Sequence, residues 1–258
     1  MKVGFIGAGN MGSAMMASMK SQAELYVYDI AAAACEKAKL EFGAQITKDI
    51  QEVVAISDIV FVAIKPQFLD EILKQIKEAW SQEKILASIV AGKTLAFWQE
   101  ILGEEAQIAR IMPNTPAMVK EGMNTVCFSA SLQDPEIIFD LLSSTGRVMQ
   151  LRENVMDAAM GVAGCGPAFV YMFIEALADG CVKNGLPRQM AYKMVSQAVL
   201  GSAKMVLETG MHPGELKDMV CSPGGTTIEG LAALEECGFR GALIKACDAN
   251  FQKNKLLK

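Results

Sequence analysis

Histidine is almost absent from this 258-residue chain, where His212 stands alone. No cluster of imidazoles can therefore hold a metal, and no Ser/His/Asp arrangement for nucleophilic catalysis stands out. His212 precedes Pro213 at an apparent helix start, a capping or loop context, so a structural role is expected for it. Cysteine pairing signals are missing too. The count is seven, an odd number without a C-x-x-C, which implies reduced thiols and a cytoplasmic protein. No Lys/Arg cluster interrupts a net charge of −5, which argues against a nucleic-acid partner. No apolar run approaches the ~18 residues of a membrane span, and even Phe169–Leu177 contains Glu175, so no membrane partner is expected. Met1 leads directly into strand-type residues, so no secretory signal is expected ahead of the fold.

The composition, 52% hydrophobic and 21% charged, is that of a globular protein leaning apolar, and the length suits two domains. Its organising stretch comes first. The apolar run Lys2–Ile6 leads into Gly7-Ala8-Gly9-Asn10-Met11-Gly12, the strand–turn–helix setting in which G-x-G-x-x-G signals a dinucleotide. Gly7 would make the tight turn, and Gly9 would let the backbone approach a pyrophosphate. Gly12 would let the helix pack close to its strand. A plain structural turn is the alternative.

Asn10–Lys20 then reads as a helix and Leu25–Tyr28 as a strand ending in Asp29. A carboxylate at this distance from the glycines suits the adenosine ribose hydroxyls, and its charge would repel a 2′-phosphate. The residues alone thus favour NADH over NADPH; a solvated strand-end acid is the other reading. Ala31–Phe42 reads as a helix capped by Gly43, and Ala44–Ile46 as a short strand. Ile59–Ala63 is a continuously apolar strand, as in a parallel sheet covered on both faces. It delivers Ile64, Lys65 and Pro66 to the edge where such sheets bind ligands, although Lys65 could equally be a solvated lysine. Ile85–Val90 and Gln107–Met112 read as further strands, with Thr94 capping a helix through Leu102 between them. Pro113 and Pro116 make a stiff loop that presents Asn114, a candidate cofactor contact, and Thr115. Asn124–Phe128, a helix from near Pro135, and Arg147–Leu151 complete a doubly wound sheet with right-handed crossovers.

From about Glu153 strand signals stop. Val155–Gly161, Pro167–Asn184, Arg188–Thr209, Glu215–Val220, Thr227–Cys237 and Phe239–Lys253 read as helices. Phe169–Ala178 is apolar nearly all round, so it needs covering on every side. That covering is a subunit interface or, alternatively, the core of one subunit. Glu153 and Asp157 lie just before a glycine stretch, Gly161–Ala168, where an acid could face a bound cation or amine. Ser222-Pro223-Gly224-Gly225-Thr226-Thr227 opens a further helix. Its first-turn N–H groups, with hydroxyls beside them, read as an anion cradle, and plain helix capping is the alternative. The inventory is a dinucleotide fold, an anion cradle and no strong acid–base residue, which suits hydride transfer to a C=N bond.

These motifs together resemble the pyrroline-5-carboxylate reductase family. The likeness is carried by Leu216–Leu231, Gly7–Gly12, Ile64-Lys65-Pro66-Gln67, Arg110–Pro116 and Gly164–Ala168, in order along nearly the whole chain. The resemblance implies an α/β fold: a doubly wound Rossmann-type sheet over residues 1–152, then an all-α substrate-binding and dimerisation domain over 153–258. It implies transfer of hydride from NADPH or NADH to L-1-pyrroline-5-carboxylate, giving L-proline in the last step of proline biosynthesis. Residues matching the family's substrate site are Glu153, Gly224, Gly225, Thr226 and Thr227, with Thr227, as the catalytic hydroxyl, reaching the ring nitrogen. Cofactor contacts carry over to Gly7, Ala8, Gly9, Asn10, Met11, Gly12, Asp29, Ala63, Ile64, Lys65, Pro66 and Ala87; no metal is implied. Subunits of the family pair through their helical domains, often as five dimers in a ring. This chain has Met219 where relatives often have Asn, and Cys165 where many have Ser. A β-hydroxyacid dehydrogenase or imine reductase is the nearest rival, but the former needs a helical-domain Lys with Asn four residues on, and Lys183-Asn184 lacks that spacing. A nucleotide-sensing protein without catalysis is the rival from another class; an intact anion cradle argues against it.

Overall fold

The computed structural model describes residues 1–255. The strands are β1 (Lys2–Ile6), β2 (Glu24–Tyr28), β3 (Gln45–Ile46), β4 (Ile59–Val62), β5 (Ile85–Ser88), β6 (Gln107–Met112), β7 (Gly122–Phe128) and β8 (Gly146–Gln150). Interleaved helices are α1 (Asn10–Met19), α2 (Ala32–Phe42), α3 (Ile50–Ile56), α4 (Asp70–Ala79), α5 (Leu95–Leu102) and α6 (Glu136–Ser143). They are followed by α7 (Glu153–Ala163), α8 (Gly166–Lys183), α9 (Arg188–Thr209), α10 (Pro213–Met219), α11 (Thr226–Glu236) and α12 (Phe239–Lys255).

The strands form one sheet in the order β3-β2-β1-β4-β5-β6-β7-β8. Alternate side chains feed two cores, because both faces are covered. Val3, Phe5, Phe61 and Ile111 pack with Met15, Met16 and Met19 of α1 and Leu141 of α6. Ile6, Val60, Val62, Leu86 and Ile108 pack with α3, α4 and α5, where Trp98 is fully buried. The order reverses between β1 and β4, which both pair with their neighbours in parallel. That reversal creates the crevice in which such sheets bind ligands.

Two expectations change. The β6–β7 pair is antiparallel, whereas a parallel crossover was expected. Between them the two prolines leave only a short 3-10 turn, Thr115–Val119, and a parallel crossover needs a dozen or more residues. Helices α3 and α4, for which the sequence reading made no provision, cover one sheet face.

Compact packing separates Met1–Pro167, together with residues 250–255, from Ala168–Ala249. The strand-to-helix change at 152/153 therefore precedes the division between the compact units, and α7 packs against β6 and β7 of the sheet unit. Met156 of α7 joins Met112 and Cys127 in a small cluster there. The helical unit has only a slight core of Ala178, Ala191 and Val195. In α8 Ala178 is the buried residue, while Tyr171 is 58% and Met172 72% exposed. This excludes the alternative in which α8 is the core of one subunit. No uninterrupted apolar run approaches a membrane span, but Glu153–Lys183 is long and apolar enough on average, by length and composition alone, to cross a membrane. Asp157 and Glu175 interrupt the apolar run, and Met156, Asp157, Gly161 and Ala163 are buried.

Candidate active site

In the sheet unit the glycine turn has the expected division of labour. Gly7 has φ +105° and donates its N–H to the Tyr28 carbonyl at 2.8 Å. A Cβ there would stand 2.5 Å from the Ala63 carbonyl oxygen. A Cβ on Gly12 would strike the Gly7 carbonyl oxygen, so helix and turn touch backbone to backbone. Gly9 is different. It is the extended N-cap of α1, provides no side-chain cap, and nothing lies within 4 Å of where its Cβ would be. The α1 N-terminus thus offers unpaired N–H groups over an open side, as a pyrophosphate requires. Asn10 is exposed there, Met11 half-buried and Ala8 buried.

Asp29 is held by the turn itself. Its Oδ2 accepts from the Ala8 N–H at 2.7 Å and its Oδ1 from the Ala31 N–H at 2.8 Å. These are charge-assisted bonds, so the carboxylate is fixed rather than swinging in solvent. Gly7, Gly9, Asp29, Ala63, Ile64 and Lys65 converge on one cavity of about 310 Å³ that also includes Tyr28 and Ile30. That volume lies at the lower end of small-molecule sites. Pro66 begins the short turn beside it. The residues fit the nucleotide end of a nicotinamide cofactor: an unfilled glycine side, an anion-ready helix start and an anchored ribose-type acid.

Of the other expected contacts, Ala8, Asn10, Met11 and Gly12 belong to the glycine turn without lining this cavity, and Ala87 and Asn114 lie apart from it. Ala87 is fully buried in the middle of β5, paired with Phe61 and Ala109, so no ligand reaches its side chain in this conformation. Asn114 is turned inward, its Oδ1 accepting from the Met123 N–H at 2.9 Å; only Thr115 of that pair is exposed.

Glu153 and Asp157 do face a cation, but it is this chain's own. Arg110 is 3% exposed in the middle of β6. Its Nη1 meets Glu153 Oε1 at 3.1 Å and its Nη2 meets Asp157 Oδ1 at 2.8 Å. Glu153 Oε1 also accepts the Leu95 N–H at 2.7 Å, in the first turn of α5. Burial, and next the charge of Glu153, pushes the nearby Cys127 thiol up to about 12. The signal for this cluster was the lone arginine in a strand otherwise made for a core, because a buried guanidinium requires carboxylates.

In the helical unit, Ser222–Gly225 forms a tight turn. The Gly225 N–H donates to the Ser222 carbonyl at 3.0 Å, and Gly224 has φ +67°. Proline at the second position and a positive-φ glycine at the third are what a type II turn demands. Gly225 lacks the Cβ that would strike Ser222 Oγ. The turn delivers Gly225 as the N-cap of α11 without any side-chain cap, and Thr226 and Thr227 occupy the first two helical positions. The capping alternative for these threonines therefore fails. Both are exposed, with first-turn N–H groups beside them, a helix start of the kind that can receive a small anion. Nearby, His212 has the structural role expected: it caps α10, its Nδ1 accepting from the Gly214 N–H at 3.0 Å.

Comparisons with known proteins follow the same division. The family model "Pyrroline-5-carboxylate reductase dimerisation" matches residues 153–257, and "NADP oxidoreductase coenzyme F420-dependent" matches residues 2–92. A pyrroline-5-carboxylate reductase of Escherichia coli (strain K12) is 42% identical over 263 residues, covering 99% of this chain and 98% of its own. The crystal structure of Plasmodium falciparum pyrroline carboxylate reductase with NADP bound superposes with a TM-score of 0.90 at 34% identity, over 99% of this chain and 97% of that one. The Streptococcus pyogenes 1-pyrroline-5-carboxylate reductase gives 0.90 at 32% identity, over 99% and 98%.

Proposed function

The chain belongs to the pyrroline-5-carboxylate reductase family, and from that membership we infer its reaction: a bound reduced nicotinamide gives hydride to the C=N carbon of L-1-pyrroline-5-carboxylate, forming L-proline. The observation that carries this reading is that the chain holds both an open Gly9 turn and an uncapped Gly225–Thr227 helix start. One suits a dinucleotide; the other suits a small carboxylate.

We assign the chain's residues as follows. Gly7, Gly9 and Gly12, with Ala8, Asn10 and Met11, form the bed for the pyrophosphate at the α1 N-terminus. Asp29 receives the ribose hydroxyls, and Ala63, Ile64, Lys65 and Pro66 border the nucleotide. N–H groups of Gly225, Thr226 and Thr227, opened by Gly224, hold the substrate carboxylate. The Thr227 hydroxyl meets the ring nitrogen and fixes the ring plane. No strong acid is required, because an iminium already carries the positive charge that draws hydride; the protein's contribution is position.

The anchored Asp29 supports NADH as the preferred donor, with NADPH tolerated. The half-exposed α8 supports a homodimer through the helical units, and five such dimers in a ring is the larger assembly to weigh by mass. Free thiols at Cys35, Cys127, Cys181, Cys221, Cys237 and Cys247 suit the cytoplasm. The test is oxidation of NADH and of NADPH by the purified protein with pyrroline-5-carboxylate. Turnover that is faster with NADH is expected, and no turnover with either cofactor refutes the reading.

A further inference from the structure

The Arg110 cluster has no place in the assignments above, and stability is a poor reason for it. Buried ion sets can often be exchanged for apolar side chains at no loss of stability, whereas breaking one partner is costly. What such a set does supply is geometry. Arg110 belongs to β6, Glu153 and Asp157 to α7, and the Leu95 N–H to the first turn of α5, reached by the loop that leaves the carboxyl end of β5. One guanidinium and the positive end of α5 thus balance two carboxylates. Cys127, beside them, keeps its proton and adds no third negative charge. The cluster sits at mid-strand on β6, and through the Leu95 N–H it fixes the start of α5 and the loop that leaves the carboxyl end of β5, the edge at which sheets of this kind bind ligands.

We propose that Glu153 and Arg110 are positioning residues for hydride transfer: Glu153 acts through the α5 first turn and Arg110, and does not itself touch the substrate. This rests on the reductase reading. It reassigns Glu153, which the family resemblance places at the substrate. Its Oε1 is already shared between an amide and a guanidinium, and both bonds need an acceptor oxygen rather than a charge.

The experiment compares Glu153→Ala, Glu153→Gln and Arg110→Lys in the full-length protein. It measures kcat, KM for pyrroline-5-carboxylate, melting temperature and hydrogen exchange at the Leu95 amide. Glutamine keeps an acceptor oxygen for both partners; alanine keeps none. Glu153→Ala is expected to lose kcat about 10-fold or more with KM within about threefold of wild type. Glu153→Gln is expected to recover at least about fivefold of that kcat and to keep the Leu95 amide protected. Arg110→Lys, which can meet only one carboxylate well, is expected to lower kcat with KM held. Equal losses in Glu153→Gln and Glu153→Ala with a raised KM would mean that the charge meets substrate, and the proposal falls. It falls as well when Glu153→Ala melts earlier but retains full kcat, since the cluster is then only scaffold. Wild-type turnover is the control: its absence overturns the reductase reading, while amide protection still reports on the cluster.

Discussion

Asp29 shows how much a single carboxylate can be asked to do. It holds the Ala8 and Ala31 N–H groups and faces the cavity where a ribose would lie. Moving aside for a 2′-phosphate would break two charge-assisted bonds and bring like charges together. Asp29→Ser is therefore expected to raise the NADPH-to-NADH ratio of kcat/KM by about 10-fold or more. An unchanged ratio would leave Asp29 as a brace for the turn alone. Thr227→Ala removes one hydroxyl from an exposed first turn, so kcat/KM is expected to fall about 10–100-fold. Wild-type rates in that variant would release Thr227 from its assignment. Cys127 gives a pH dependence of defined sign. Its thiol loses its proton near 9.0 when unfolded but near 12 when folded. Between those values the unfolded chain binds fewer protons, so stability falls as pH rises, by at most about 1.4 kcal/mol per pH unit. Urea midpoints from pH 8 to 11 are expected to decline less steeply in Cys127→Ala. At this scale the sequence spoke clearly wherever backbone chemistry demanded one residue type, as at Gly7, Gly12 and Gly224. It named Ala87 and Asn114 as cofactor contacts without showing that both are buried, because burial is a property of neighbours far along the chain.

Elements were legible in proportion to their local signals. The α9 bounds agree with the sequence reading at both ends, and the Gly43, Thr94 and His212 caps are where they were expected. The signals for α3 are local and lie at its first turn. Asp49 accepts from the Glu52 N–H at 2.8 Å while Glu52 reaches back to the Lys48 N–H at 2.7 Å, a reciprocal capping arrangement. In α4, Asp70 and Glu71 open the helix before an apolar face that includes buried Ile76. The antiparallel turn from β6 to β7 was readable only by asking what two prolines leave room for. The Pro223–Gly224 turn has a testable energy. Gly224→Ala places a side chain at φ +67°, so the turn is strained by about 1 kcal/mol. The α11 start should loosen, raising KM for pyrroline-5-carboxylate while KM for the cofactor stays put. Equal change in both constants would show that the turn does not serve the substrate alone.

For the molecule, the two-part organisation was legible because periodicity and glycine motifs change character near Glu153. The packing boundary was not. Arg110 finds Glu153 and Asp157 across 43 and 47 residues of sequence, and no local pattern announces that α7 sides with the sheet. The helical unit makes the strongest statement about the whole. Tyr171, Met172 and Leu177 of α8 are exposed in one chain, and the unit's own core is slight. Sedimentation is expected to give at least twice the 27.7 kDa of one chain, and Met172→Glu to lower that mass. A wild-type monomer would refute the interface.

That bare α8 face makes the folded state obey mass action. If its partner supplies the missing core, every tenfold dilution removes about 1.4 kcal/mol from the assembled form. The melting temperature should then climb with protein concentration, and in a cell the yield of working enzyme should rise faster than the number of chains made.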